Sequence, residues 1–250
     1  MKISAFYENI RTGAEFCGVT MTEAVTMLRD SGLTGLYISL DSLKAFLPEI
    51  RAVLENTGVF VAGLHAWIDL DTNPDGYREL IDAACNNGTD NVLIVPTCSG
   101  NHDNNLTEIL LAGVKAAVEY GESRGITVCM EDMDRLNSPY NSVAGLDHFL
   151  SNIPGLFCCF DTGNFIMHQE DELEAFRYFQ SKISMMHLKD RAKDGNIFVD
   201  KIIPVAAIAI MVYMVLSADM TTKLGLVFYV AVVTAAGFIW DNARGKKDPQ

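Results

Sequence analysis

Four short stretches place acidic, imidazole or ammonium groups directly after apolar runs. They are Gly63-Leu64-His65-Ala66-Trp67, Cys129-Met130-Glu131-Asp132, Phe160-Asp161-Thr162-Gly163-Asn164 and Met186-His187-Leu188-Lys189-Asp190. Ending a buried run on such a group costs on the order of several kcal/mol unless the group is paired or ligated. One such placement alone reads as a helix cap, a surface pair or a satisfied core group. Four in corresponding positions point to a shared site. Glu131, Asp161 and His187 offer two carboxylates and one imidazole. That mixture suits a divalent cation, with Mn2+, Mg2+ or Co2+ preferred and Zn2+ admitted. His65 is open between substrate contact and a structural hydrogen bond. His102, His148 and His168 fall in a loop, a helix and a loop and carry no such reading. Glu8 and Asp41 also follow apolar runs and offer themselves to the same mouth. Lys189, Arg191 and Lys193 read either as holders of a substrate phosphate or as solvated charge.

The elements that must position these residues repeat one unit. A short apolar or β-branched run is followed by a turn and then an amphipathic helix. The runs begin near Ile3, Gly35, Val59, Asn91, Ile126, Leu156 and Ile183, a spacing near the roughly 30 residues of a strand-helix-strand unit. Runs apolar on both faces suit parallel strands buried beneath helices. Thr20-Met21-Thr22-Glu23 is a capping box, and Asn105 with Glu108 a looser version of one. Pro74 suits a first helical turn. Leu106, Ile109, Leu110, Val114, Ala117 and Val118 form a helical stripe. Gly32, Gly58, Gly88 and Gly125 suit left-handed helix ends. Seven strands alternating with six helices make either a singly wound (β/α)8-type barrel or an open doubly wound sheet, and the order of elements does not separate the two. In the barrel, the four chemical stretches gather at the C-terminal ends of the strands, where such folds do chemistry.

Glu131-Asp132-Met133-Asp134, Asp161-Thr162-Gly163-Asn164-Phe165 and His187-Leu188-Lys189-Asp190 resemble the xylose isomerase-like barrel superfamily. Within it they resemble the sugar phosphate isomerases and epimerases. The resemblance runs from Met1 to about Asn196. It implies an α/β fold, an incomplete (β/α)8 barrel of about seven strands, over residues 1–197. It implies that Glu131, Asp161 and His187 are three of four metal ligands, and that Glu131 also shuttles a proton. His65 matches a strand-three histidine near the substrate, and Asn164 stands where some members bind substrate; Lys189 is a further candidate contact. The implied reaction is isomerisation or epimerisation of a sugar, polyol or sugar phosphate through an enediolate. A divalent cation acidifies the C–H beside a carbonyl, one carboxylate removes the proton, and in epimerases a second returns it from the opposite face.

The family's fourth ligand is a glutamate on an eighth strand, and here the chain departs from the pattern. Asn196–Val199 with Asp200 does not supply that strand, because Arg191–Gly195 leaves five residues where a parallel crossover needs about a dozen. Instead Ile202–Ala218 and Leu224–Trp240 are each seventeen residues without a charge. Residues 198–250 therefore read as an appended hydrophobic helical hairpin. Membrane insertion through residues 202–240, with Arg244, Lys246 and Lys247 cytoplasmic, is one reading; two buried core helices are the other. Natural fusion and a disrupted reading frame both remain open as origins of this tail.

The net charge of −13 is concentrated before the tail. From Ile202 onward four basic and three acidic residues give +1, leaving −14 for the rest. Such a surface repels phosphate backbones, so nucleic acid is not an expected partner. This charge, and Asn164 in place of a histidine, also weigh against a phosphodiester hydrolase of the apurinic-endonuclease type. A non-catalytic, membrane-tethered or truncated remnant is the alternative to an enzyme. The six cysteines form no CxxC pair and read as small, buried apolar residues in a reducing compartment. Met1-Lys2-Ile3-Ser4 leads straight into charged sequence rather than a secretory leader, so a cytoplasmic catalytic part is expected. An oligomer is compatible with an incomplete barrel, whose open edges invite cover.

Overall fold

In the computed structural model, the residues described are 2–100, 105–135 and 137–189. The expectations for the hairpin at 202–240, the second domain at 198–250, His102, Asp190, Arg191, Lys193 and Asn196–Asp200 lie outside them. Among the described residues no helix is long and apolar enough to cross a membrane.

Each apolar run forms a strand: β1 (Ser4–Phe6), β2 (Gly35–Ser39), β3 (Phe60–Asp69), β4 (Asn91–Thr97), β5 (Thr127–Met130), β6 (Leu156–Asp161) and β7 (Ile183–His187). All pairings are parallel, and the strands lie side by side in chain order. Consecutive order removes the doubly wound alternative, in which the strand order reverses partway through the sheet. The sheet also curls. Six strand spacings of a flat sheet would separate β1 from β7 by about 29 Å, yet the Phe6 ring of β1 and the His187 ring of β7 are 5.0 Å apart. The result is a partial (β/α)8 barrel.

The crossovers carry eight α-helices among the described residues rather than the six helices expected: α1 (Tyr7–Cys17), α2 (Met21–Asp30), α3 (Leu40–Ala45), α4 (Leu47–Thr57), α5 (Gly76–Asn86), α6 (Leu106–Arg124), α7 (Val143–Asn152) and α8 (Glu172–Phe179), with a short 3-10 turn at Phe165–His168 before α8. The first two crossovers are each split. Gly18, at φ 68°, ends α1 in a left-handed turn, and Pro48 in the first turn of α4 starts a new helix after α3. The capping box forms: Thr20 Oγ1 accepts from the Glu23 amide at 3.2 Å, and Glu23 Oε2 accepts from the Thr20 amide at 2.8 Å. Two other cap expectations fail. Asn105 precedes α6 without a side-chain cap, because its backbone (φ −129°, ψ 7°) is not the extended one that aims a capping side chain at the first turn. Pro74 lies before α5, in a turn closed by the Gly76 amide donating to Asn73 O at 3.0 Å.

Helices pack against the outer face of the sheet. Leu110, Val114, Ala117 and Val118 of α6 are buried as their spacing demands. Behind β6, Phe160 meets Phe165 and Phe176. The inner face turns every second residue of each strand toward the barrel interior, where the candidate site lies.

Candidate metal centre

Period-two alternation decides which side chains meet. Glu131 follows β5 directly, Asp161 ends β6 and His187 ends β7, so three neighbouring strands deliver the three expected ligands to one rim. Asp161 and His187 are also register partners. His187 Nδ1 lies 2.9 Å from Glu131 Oε2. A third donor joins this pair from a place the sequence reading treated as core. Cys159, two residues before Asp161 on β6, points its thiol at Glu131 Oε2 from 4.0 Å. The Glu131, Cys159 and His187 donor atoms all fall within 4.8 Å of one another.

Asp161 sits differently. Its Oδ1 accepts the Gly163 amide at 2.8 Å, and its Oδ2 faces the Lys189 ammonium at 4.0 Å. Lys189 Nζ donates to Asn164 Oδ1 at 2.7 Å and lies 3.8 Å from Asp134. Asn164 Nδ2 donates to Asp132 O at 2.9 Å. Asn164 and Lys189, both expected at the substrate, are thus brought together, with the Asn164 amide engaged at each end. The Asp161-Thr162-Gly163-Asn164 turn holds them. Thr162 Oγ1 accepts from the Lys189 amide at 2.9 Å, and a Cβ on Gly163 would stand 3.0 Å from Lys189 O.

Electrostatics favour a cation here. Asp132 is fully buried, and neither of its carboxylate oxygens has a hydrogen-bond partner. Burial first, then the charges of Asp161 and Glu131, pushes its pKa up to about 9. Burial also raises the Asp161 carboxyl above its ordinary value. A crowd of carboxyls short of positive charge is what a divalent ion relieves. The geometry fits as well. Two ligands bound at about 2.1 Å and at right angles stand about 3.0 Å apart, close to the 2.9 Å between His187 Nδ1 and Glu131 Oε2. The residues present therefore fit a divalent metal.

His65, from β3, belongs to a cluster of rings on the opposite wall. It stacks on Tyr37 at 5.2 Å and meets Phe6 at 5.5 Å, while His187 reaches Tyr37 at 5.3 Å. Burial lowers the His65 pKa, so the ring is neutral near pH 7, and its buried Nδ1 has no partner. Beside His65 opens a cavity of about 160 Å³ whose walls include Ser39, Asp41, Trp67 and Asn73. Trp67 is 55% exposed, with the Arg135 guanidinium 5.0 Å above its ring. Among the other histidines, His168 Nε2 is 3.3 Å from Met133 O, and His148 is exposed on α7. The reading of all cysteines as buried core also needs correction, since Cys17 and Cys85 are exposed.

Cys159, Asp132 and Tyr37 were missed as site residues. The signal for Cys159 was its two-residue spacing from Asp161, which shares a strand face. For Asp132 it was a second acid directly after Glu131.

A family model described as a xylose isomerase-like TIM barrel matches residues 14–201. A search of curated proteins finds no match. Solved structures share the fold at low identity. The 3-keto-D-glucoside 4-epimerase of E. coli is 14% identical, with a TM-score of 0.59 over 78% of this chain and 82% of that one. A probable 3-DHS dehydratase of Bacillus anthracis, involved in petrobactin synthesis, is 14% identical, with a TM-score of 0.60 over 80% and 77%. A xylose isomerase-like TIM barrel protein of Mycobacterium smegmatis, in complex with magnesium, is 15% identical, with a TM-score of 0.56 over 68% and 66%.

Proposed function

Since the chain belongs to the xylose isomerase-like TIM barrel family, we propose that it is a metal-dependent isomerase or epimerase of a sugar, polyol or sugar phosphate. The observation that carries this reading is the 2.9 Å approach of His187 Nδ1 to Glu131 Oε2 at the strand ends, with Asp161 in register beside His187. Glu131, His187 and Asp161 are the residues to hold the ion. A bound divalent ion polarises a substrate carbonyl and acidifies the neighbouring C–H.

The remaining work falls to the chain's own groups. Glu131 accepts the proton and returns it, its position fixed by the end of β5. Lys189, anchored by Asn164 and backed by Asp161, presents an ammonium to substrate hydroxyl or phosphate oxygens. His65, neutral and with Nδ1 free to bond, orients a substrate oxygen from the opposite wall. The ring cluster of Phe6, Tyr37 and His65 excludes water beneath the reacting carbon and so strengthens these polar contacts. The six unpaired thiols suit a reducing, cytoplasmic setting for this part of the chain. Membrane attachment through residues 202–240 is a separate proposal, tested by whether the full chain sediments with membranes.

The test is solvent exchange. Incubated in D2O with Mn2+, Co2+, Mg2+ or Zn2+ and a panel of ketoses, aldoses and their phosphates, the full chain should place deuterium on the carbon next to a carbonyl. Glu131→Gln should lower that rate by about 10²-fold to 10⁴-fold. A chain that binds no metal and exchanges no substrate proton would instead support the non-catalytic remnant.

A further inference from the structure

We propose that the substrate is an uncharged reducing disaccharide. Its reducing ring opens to the reacting carbonyl beside Glu131 and His187, and its other ring lies in the cavity beside His65. The inference rests on the isomerase or epimerase reading above and names the substrate class which that reading leaves open.

Four observations carry it. The first is size. The cavity holds about 160 Å³, and a cavity of about 150 Å³ takes one six-membered ring. The second is place. The walls of the cavity come from the rim of β2 and β3 and from α3 and α5, whereas Glu131 follows β5. Two strand spacings, about 10 Å, separate β3 from β5. A single sugar ring held at Glu131 leaves the cavity empty, and two linked rings reach both.

The third is the chemistry of the walls. Trp67 offers an apolar face and is 55% exposed. The C–H face of a sugar ring is slightly positive and matches the negative face of an indole. Arg135, 5.0 Å from that indole, braces it from the loop after β5. The Asn73 side-chain amide also lines the cavity and has no hydrogen-bond partner among the described residues. A Cβ on Gly76 would stand 2.5 Å from Asn73 Nδ2, so the bare glycine at the start of α5 leaves room for this amide. An amide gives and takes hydrogen bonds, and the Asp41 carboxylate accepts them. Sugar hydroxyls answer both.

The fourth is charge. Lys44 Nζ is paired with Glu79 Oε1 at 2.8 Å, so Asp41 leaves the walls net negative. A phosphate placed there meets two carboxylates and no unpaired cation, which is how a site rejects the wrong ligand. The net charge of −13 repels anions at longer range as well. The far ring takes no part in the chemistry. Its contacts hold the reducing ring against Glu131, a use of remote binding that raises kcat/KM.

The full chain is stripped with chelator, so that sugar binding is read apart from chemistry. It is then titrated by calorimetry with cellobiose, maltose, lactose, glucose and glucose 6-phosphate. One stacked ring and two hydrogen bonds are together worth about tenfold to a hundredfold in affinity. At least one disaccharide should therefore bind tighter than glucose by that factor, and glucose 6-phosphate should bind no tighter than glucose. Asn73→Ala and Trp67→Ala should each lower the ratio of disaccharide to glucose affinity about fivefold or more. Equal affinities for glucose and all the disaccharides, or tightest binding by glucose 6-phosphate, overturn the proposal. The wild-type ranking decides alone if the variants do not fold. With divalent metal restored, deuterium from D2O should enter the favoured disaccharide beside its carbonyl with kcat/KM at least about tenfold above glucose. A disaccharide preference without exchange under any metal supports the two-ring site and overturns the metal-dependent reading. Exchange as fast on glucose as on every disaccharide overturns only the present proposal.

Discussion

Asp132 offers a way to measure the electrostatic strain of the metal centre without knowing the substrate. Its carboxyl is fully buried without hydrogen-bond partners, and its pKa is pushed from an ordinary 3.8 up to about 9 by burial and by Asp161 and Glu131. Below about pH 3.8 the folded and unfolded chains both hold the proton, and the group does not affect their balance. Between about 3.8 and 9 only the folded chain holds it, so stability drains away as pH rises. One pKa unit corresponds to about 1.4 kcal/mol. The metal-free wild type should therefore lose up to about 4 kcal/mol from this group between pH 5 and 8. Water reaching the carboxyl will reduce that figure, and half of it is still easily measured. Asp132→Asn removes the titration. Its amide adds unsatisfied donors worth about 1–3 kcal/mol, but that offset is the same at every pH. Urea unfolding of the chelated full chain across this range should show a falling line for wild type and a flatter one for Asp132→Asn. Saturating divalent metal should flatten the wild-type line, because a nearby cation favours the ionised carboxylate. Parallel lines for the two proteins without metal would refute the reasoning, since Asp132 would then be ionised and paired in the fold.

Two further outcomes follow from single contacts. Trp67→Ala removes an exposed ring from the wall of the 160 Å³ cavity beside His65. A lost face of sugar stacking should raise KM about threefold to tenfold with kcat nearly unchanged, and steady-state kinetics on the best substrate checks it. Gly163→Ala sets a methyl 3.0 Å from Lys189 O and 3.1 Å from Lys189 Cγ. The overpacking should cost about 1–3 kcal/mol, seen as a Tm lower by roughly 2–10 °C.

What the sequence made legible was whatever depends on local periodicity. Strand ends could be read because apolar runs stop at Glu131, Asp161 and His187, and the barrel rim follows once the strands run parallel and in order. The split crossovers were not legible, because Gly18 and Pro48 break helices only in a chain that can still pack both pieces on the sheet. Cys159 was hidden for a different reason. Alternation assigns it to the face of Asp161, but its approach to Glu131 is set by how far β5 and β6 are staggered around the curl. The engagement of Asp161 by Lys189 was equally invisible, since that ammonium reaches back from beyond β7 through the Thr162 clamp.

The two walls of the barrel divide the chemistry, and the division bears on whether one proton carrier or two serve the reaction. Glu131, Cys159, Asp161 and His187 come from β5 to β7 and its rim, whereas Phe6, Tyr37 and His65 come from β1 to β3. The His187 ring touches Phe6 and Tyr37 across the interior, so a substrate seated above that floor of rings has Glu131 on one face. An isomerase needs no more, because one carboxylate can move a proton between adjacent carbons. An epimerase must return it from the other face, where the described residues offer neutral His65 and Glu8. Glu8 lies in the first turn of α1, two residues past the end of β1. Its Oε1 accepts the Ser39 amide at 3.0 Å, its buried Oε2 has no partner, and its charge acts on His65. Glu8→Gln keeps the Ser39 bond and removes only the exchangeable carboxylate. If Glu8 is the second carrier, this variant should still exchange the substrate proton with D2O through Glu131, while inversion of the carbon slows about 10²-fold or more. Equal loss of exchange and inversion would place Glu8 in substrate positioning, and no loss of either would leave a single-carboxylate isomerisation as the reaction this barrel performs.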